Sequence, residues 1–156
     1  MSSYVLIYSN LVRQRKGLEL LQSLLHEEFE LLRVGDTEAV GSLEFSIHEL
    51  LRQLAVERVA VKNVMQGTKL SEYADMLAPE EGEAIRDLAQ KIDDAEQAAA
   101  RQATHNCELS LALLDQNHSL MTYLYEQVTP KQQVVYDASG AYREPRPGAA
   151  LINGRL

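Results

Sequence analysis

Fifty consecutive residues lie between Pro79 and Pro130 without a proline, and this run constrains the fold more than any other feature. A proline inside a helix removes a hydrogen bond and clashes with the preceding turn, so a run without one can form one uninterrupted helix. Apolar and small residues recur in it with heptad spacing: Ile85, Leu88, Ile92, Ala95, Ala99, Gln102, Asn106, Leu109, Leu113, Gln116, Leu120 and Tyr123. Pro79 suits the first helical position, followed by acidic residues at the positive end of the helix. We predict one helix of about 50 residues, about 75 Å long.

The first part of the chain has the pattern of another long amphipathic helix. Leucines recur there every seven residues, the spacing of a stripe along one helix face: Leu11, Leu18, Leu25 and Leu32. Gly17 interrupts the segment and costs about 1 kcal/mol relative to alanine in a helix interior. We therefore expect the first turns to fray or bend at Gly17, and the helix to end at Val34 and Gly35.

A further helix is predicted over residues 37–66, with Asp36 as its cap and Gly67 and Thr68 at its end. Its apolar residues follow spacings of three, four and seven: Val40, Leu43, Ile47, Leu50, Leu54, Val61 and Met65. The short turn that joins it to the first helix makes the two antiparallel. Residues 69–77 can form a short helix. The predicted fold is all-α: an antiparallel bundle or coiled-coil hairpin of two long helices, a short helix and a very long C-terminal helix.

Composition limits the possible partners. The 156 residues can bury one continuous core, and a net charge of -8 argues against nucleic acids and anionic membranes, which need a basic protein surface. No apolar run approaches the ~20 residues of a membrane span, and the first residues do not have the pattern of a signal peptide. The lone Cys107 excludes an internal disulfide. We expect a cytoplasmic protein without stable membrane insertion.

The last residues, 129–156, differ in composition from the rest. They contain three of the four prolines and three of the eight glycines, with four basic and two acidic residues, and show no helical period. Such a segment buries too little apolar surface to order itself. We predict a helical bundle over residues 1–128 and a flexible tail over residues 129–156.

The sequence carries few signs of catalytic chemistry. Its four histidines are scattered, the Glu-x-x-His pairs of a di-iron bundle are missing, and no Gly-rich phosphate loop is present. Cys107 fits a small core or boundary residue. We expect no catalysis, no cofactor and no metal.

A histidine phosphotransfer bundle is the sharpest enzymatic alternative. The segment that begins at His48 is similar to the His-x-Leu-Lys-Gly pattern of such domains, but Leu51 and Arg52 stand where lysine and glycine belong. That glycine gives the partner protein access to the histidine, so the arginine argues against this function. We expect His48 to be an ordinary surface residue.

The C-terminal part of the long helix carries two apolar sets, whereas packing in a bundle requires only one. Leu109, Leu113, Leu120 and Tyr123 continue the heptad; beside them run Leu111, Leu114, Met121, Leu124, Tyr125 and Val128. Either the short helix or the start of the chain covers the second set, or that set forms a groove for an amphipathic helix of a client protein. A self-assembling homodimer that buries it is a further alternative.

The layout resembles the FlgN family of flagellar type III export chaperones. Two stretches carry the resemblance: His105, Asn106 and Asn117 in the Leu-rich part of the long helix, and Tyr136 to Gly140, which is similar to the Tyr-Gly-Ala-Asn-Gly type of element that follows this helix in the family. Asp137 and Ser139 depart from that element, and His48 or Arg52 stands where many members carry a lysine.

The resemblance implies that the protein holds hook-associated (hook-filament junction) proteins until export, binding their C-terminal helical region and preventing premature assembly. Tyr136, with Gly140, would then dock on the flagellar export gate. The residues predicted to bind the client are Leu111, Leu113, Leu114, Asn117, Leu120, Met121, Leu124, Tyr125 and Val128.

Overall fold

A computed structural model describes residues 3–129, and all the regular structure in this range is helical. The helices are α1 (Ser3–Val34), α2 (Thr37–Met65), α3 (Leu70–Asp75) and α4 (Pro79–Val128). The all-α prediction is confirmed, and α4 is a single helix of 50 residues. The chain divides into two compact units, Met1–Leu111 and Ala112–Leu156. The domain boundary at residues 128 and 129 stays a prediction, because the proposed flexible tail lies almost wholly outside the described residues.

Gly35 and Asp36 form the turn between α1 and α2. Gly35 has a φ of +75°, a conformation that is favourable only for glycine. The Asp36 carboxylate accepts a 3.0 Å hydrogen bond from the Ala39 backbone N–H and so caps α2, as its position in the sequence predicts. The chain therefore reverses within two residues, and α2 packs antiparallel on α1.

Gly17 lies where α2 packs closely on α1. A Cβ atom at this position would stand 2.8 Å from Leu54 Cδ2, nearer than such atoms approach. The fraying expected at Gly17 is wrong, because the helix is continuous from Ser3 to Val34. The glycine instead makes room for the Leu54 side chain, and this packing offsets its low helix propensity.

The core of the first unit is formed by α1, α2, α3 and the N-terminal half of α4. Its buried apolar residues, many of them at positions predicted from the helical spacing, are Ile7, Leu11, Leu18, Leu21, Leu25, Ile47, Leu54, Val61, Met65, Ala74, Ile85, Leu88, Ile92 and Ala99. α4 also has polar contacts with both long helices. Gln22 of α1 donates a 3.0 Å hydrogen bond to the Ala95 carbonyl, and Arg58 of α2 pairs with Glu96.

The short helix α3 packs against the first turns of α4. Gly82 is buried there, and a Cβ atom on it would collide with the Ala74 carbonyl oxygen. Burial and the nearby Glu81 carboxylate raise the pKa of both Tyr73 and Tyr4. Tyr4, near the start of the chain, and Tyr73 of α3 both pack against the core of the first unit.

Candidate functional site

The C-terminal part of α4 exposes a dense set of large apolar side chains. All the side chains of residues 114–129 are exposed, with Leu114 and Met121 each at 66%. Among the predicted client-binding residues only Leu113 is half-buried. The exposed large apolar residues of this part of α4 are Leu111, Leu114, Leu120, Met121, Tyr123, Leu124, Tyr125 and Val128.

Six apolar residues between Leu113 and Tyr125 form two adjacent rows on the helix. Successive residues of an α-helix are about 100° apart around its axis, which places Leu113, Leu120 and Leu124 in one row and Leu114, Met121 and Tyr125 in another. The two rows are about 100° apart, and Asn117 and Val128 lie between them. One continuous apolar surface therefore extends over a large part of the helix circumference.

The opposite side of this helix segment is polar and acidic. Asp115 and Glu126 stand about 180° from Asn117 around the axis, together with Ser119 and Thr122. Residues 102–129 contain neither lysine nor arginine. A protein bound to the apolar surface would therefore meet only acidic formal charges along this part of α4, unless His105 or His118 of α4 is protonated.

The structure corrects the assignment of the first apolar set to the bundle core. Leu109 and Leu113 are half-buried, but Leu120 and Tyr123 are exposed like the second set. The second set is exposed within the described part of α4, and α3 packs on the first turns of the same helix. The heptad spacing continues past the core because the helix itself continues.

Asn106 is buried, with 4% of its surface exposed. Its side-chain amide donates to the Leu25 carbonyl at 2.8 Å and to Glu28 Oε2 at 2.6 Å. Its own Oδ1 accepts a 2.9 Å hydrogen bond from Gln102. A buried asparagine with satisfied hydrogen bonds fixes the alignment of the helices it joins, here α4 on α1.

His48 and Cys107 are both exposed. The surface position predicted for His48 is confirmed, whereas the core or boundary position predicted for Cys107 is wrong. Within residues 3–129, no three side chains of His, Cys, Asp or Glu are grouped so that they could hold a metal ion. Over the same range, no helix combines the length and apolarity needed to cross a membrane.

The sequence reasoning did not find an open groove between α2 and α4 with a volume of about 670 Å³. Its floor is Leu18, Leu21 and Leu25 of α1; its walls include Ile47, Leu51, Leu54 and Ala55 of α2 and Ala99, Ala100 and Ala103 of α4. The heptad contains a sequence signal for this groove, because two of its positions, Ala95 and Ala99, carry alanine instead of leucine. Side chains this small leave space between the helices.

The sequence model of the family described as FlgN protein matches residues 1–144. The chain belongs to the FlgN family. The matched range includes Tyr136 and Gly140, which lie outside the described residues. FlgN proteins are flagellar export chaperones, so the resemblance drawn from His105, Asn106 and Asn117 is confirmed at the level of the family. No curated protein and no solved structure gives a significant match.

Proposed function

We propose that this FlgN-family chaperone binds the C-terminal helical region of hook-associated proteins on the exposed end of α4. The observation that carries the proposal is the set of eight exposed large apolar side chains from Leu111 to Val128. Amphipathic helices bind such rows through apolar residues three, four and seven positions apart. A client helix bound there would be kept from assembling prematurely in the cytoplasm.

The energetics allow tight but reversible binding. Full burial of one large apolar side chain contributes about 1.5 to 3 kcal/mol. Association and the ordering of interface side chains oppose this gain by several kcal/mol. Burial of four or five residues, such as Leu114, Leu120, Met121 and Leu124, therefore gives useful affinity and still permits release. Binding of this kind needs no catalytic group.

The two rows suggest how the surface is divided. Leu113, Leu120 and Leu124 face one side, and Leu114, Met121 and Tyr125 face the next, so one client helix can lie along the seam between them. Asn117 stands on that seam with its side chain exposed, where its amide can bond to a polar group of the client. Met121 and Tyr125 suit such a contact because methionine is flexible and tyrosine is amphipathic.

Delivery to the export gate is assigned to the residues that follow α4. Tyr136 and Gly140 belong to the element that resembles the family's pattern, and an aromatic side chain can insert into a pocket of a membrane-bound partner. Residues 129–156 act in this proposal as a separate flexible arm, and the bundle retains the client.

The decisive test replaces Leu120 and Leu124 together by aspartate. Both side chains are half exposed or nearly so, at 54% and 46%, so the substitution is expected to leave the helical circular dichroism intact. Binding of a purified hook-associated protein, measured by calorimetry, should weaken about a hundredfold or more, which corresponds to about 2.7 kcal/mol. The matched control is Ser119→Asp with Thr122→Asp, which adds the same charges to the polar side of the same turns.

The proposal fails if the Leu120 and Leu124 double variant binds the client as the unmodified chain does, or if the control pair weakens binding equally. Loss of helical signal in the double variant would show that Leu120 and Leu124 stabilise the fold, and would remove the evidence for a free binding surface.

A further inference from the structure

We propose that the groove between α2 and α4 is a second docking site, which binds a basic amphipathic helix of about four turns from a partner protein. The groove lies in the first unit and contains none of the residues of the proposed client surface on α4. The proposal therefore goes beyond that function and does not depend on it. A helix in this groove would become the fourth long helix of a bundle with α1, α2 and α4.

The length of the groove defines the length of its occupant. On α2 the lining extends from Glu44 to Arg58, and on α4 from Glu96 to Ser110. Each wall spans 15 residues, or about 21 Å at 1.5 Å per residue, which equals about four helical turns. A small ligand would fill only part of this length, and a strand would leave its backbone N–H and C=O groups unpaired between walls formed by helix side chains.

The lining shows that the occupant is apolar on the side facing the floor. Leucines of α1 form the floor, and the walls are largely alanine, isoleucine and leucine. The small alanines of α4 leave room for the larger apolar side chains of a second helix to enter between α2 and α4. Four apolar wall residues, Leu51, Ala55, Ala100 and Ala103, are exposed to solvent in the unbound chain, so an occupant would remove apolar surface from water.

The charges at the two ends of the groove differ. At one end Arg58 of α2 and Glu96 of α4 pair with each other. At the other end stand two carboxylates, Glu28 and Glu44, and the lining holds no lysine or arginine there. Asn106 contacts Glu28 but carries no charge. Lysine or arginine side chains on the occupant would complement this acidic end.

The same charges disfavour a second copy of this chain as the occupant. The exposed apolar helix that a second copy could offer is the end of α4, and over residues 113–128 its carboxylates are Asp115 and Glu126, with no lysine or arginine. It would bring like charges toward Glu28 and Glu44 and supply no formal cation except through His118. A partner of different sequence, with basic residues beside its apolar stripe, fits better.

Cys107 provides a reporter at the site, since it lines the groove, is exposed and is the chain's single cysteine. The probe is a synthetic 15-residue helical peptide with leucines every third and fourth position and lysines at one end; the comparison peptide carries glutamates at the lysine positions. Binding to the full-length chain is measured by fluorescence anisotropy, and the rate at which Cys107 reacts with a soluble disulfide reagent is followed in parallel. We expect the lysine peptide to bind about tenfold more tightly than the glutamate peptide and to slow Cys107 by a similar factor.

Two pairs of variants locate the binding. Ala103→Trp fills the groove and should weaken the lysine peptide about tenfold, whereas Ala60→Trp, an exposed position outside the lining, should not. Glu44→Lys places a lysine beside the remaining Glu28 carboxylate, neutralises the acidic end and should abolish the preference between peptides, whereas Glu38→Lys in the first turn of α2 should preserve it. All four positions are exposed, so none of these changes is expected to unfold the chain.

Several outcomes would overturn the proposal. Equal binding of both peptides, unchanged Cys107 reactivity, or insensitivity to Ala103→Trp would each show that the groove does not take a basic helix. A Cys107 rate that falls as the protein concentration rises would assign the groove to a second copy. A rate that increases on replacing Val134 and Val135 by aspartate would assign it to the chain's own C-terminal residues.

Discussion

Asn106 of α4 donates a hydrogen bond of 2.8 Å to the backbone carbonyl of Leu25 in α1. The same amide reaches the Glu28 carboxylate at 2.6 Å, and Gln102 donates to the Asn106 oxygen at 2.9 Å. An apolar residue at this position would allow several alignments of α4 along α1 at similar energy. The hydrogen bonds of the Asn106 amide form in only one of them. The asparagine therefore determines which residues of α4 face α1.

Replacing Asn106 by alanine should lower the free energy of unfolding by about 1 to 3 kcal/mol, because the hydrogen bonds between α1 and α4 are lost and Glu28 keeps a partly buried carboxylate without its partner. Urea denaturation followed by circular dichroism measures the change. Asn117→Ala is the matched control, since Asn117 lies on the same helix with an exposed side chain. Equal stability of the two variants would contradict a register role for Asn106.

Gly82 and Gly41 should respond to alanine in opposite directions. A Cβ atom on Gly82 would collide with the backbone oxygen of Ala74, whereas nothing lies within 4 Å of a Cβ atom on Gly41. Gly82→Ala should lower stability by about 1 to 3 kcal/mol through overpacking. Gly41→Ala should raise it by about 1 kcal/mol through helix propensity. Thermal unfolding of both variants checks the pair, and a stabilised Gly82→Ala chain would show that α3 is not held against α4.

Glu57 of α2 links the stability of the α1–α2 pair to pH. Arg13 donates hydrogen bonds of 2.8 and 3.0 Å to its carboxylate, and the buried Asn10 amide donates to both its side chain and its carbonyl. The Arg13 hydrogen bond is the main cause that lowers the pKa of Glu57 below the ordinary value of 4.5. A lowered folded-state pKa contributes stability that is present above the unfolded-state pKa and is lost as the pH falls through the folded-state pKa.

Glu57→Gln should therefore lower the free energy of unfolding by about 1 kcal/mol at neutral pH. The difference from the unmodified chain should shrink as the pH falls below about 4. Urea titrations across this range give the measurement. Glu30→Gln, which removes an exposed carboxylate paired with Arg33, should change stability by only a few tenths of a kcal/mol at any pH. A constant difference for Glu57→Gln down to low pH would show that its charge is not what matters.

Tyr136→Ala tests the part of the proposal that concerns export. Removing this aromatic ring should leave client binding and helical content unchanged, while binding to the isolated cytoplasmic domain of the export gate falls about tenfold. Tyr142→Ala is the control, because Tyr142 is a nearby tyrosine outside the Tyr136 to Gly140 element. If the two variants behave alike, the element has no special role in docking.

The sequence was sufficient for features set by local chemistry. The conformations open to each residue type explain three placements: Asp36 as a helix cap, Gly35 in a left-handed turn and Pro79 at the start of α4. The buried apolar residues of α1, α2 and the N-terminal half of α4 follow from periodicity, and the resemblance to the FlgN family agrees with the matched range of residues 1–144.

Features that depend on how helices approach each other did not follow from the sequence. In the sequence, Gly17 is expected only to weaken its helix. The structure shows that the Leu54 side chain packs closely against it. Leu120 and Tyr123 keep the heptad spacing of core residues, although they are exposed. The groove beside Ala99 and Ala103 arises because small residues at core positions leave space, and only the packing of three helices shows whether that space is filled.

The absence of lysine and arginine between Gln102 and Thr129 also determines how this surface responds to reagents. Trypsin cannot cut within it, so a digest releases the whole surface in one peptide that ends at Lys131, and amine-directed cross-linkers have no target on its side chains. Chymotrypsin has many targets there, from Leu111 to Tyr125. When a client covers this part of α4, chymotrypsin cleavage between Leu111 and Tyr125 should decrease while trypsin cleavage stays unchanged. The pattern of peptide fragments would therefore show directly whether the surface is occupied.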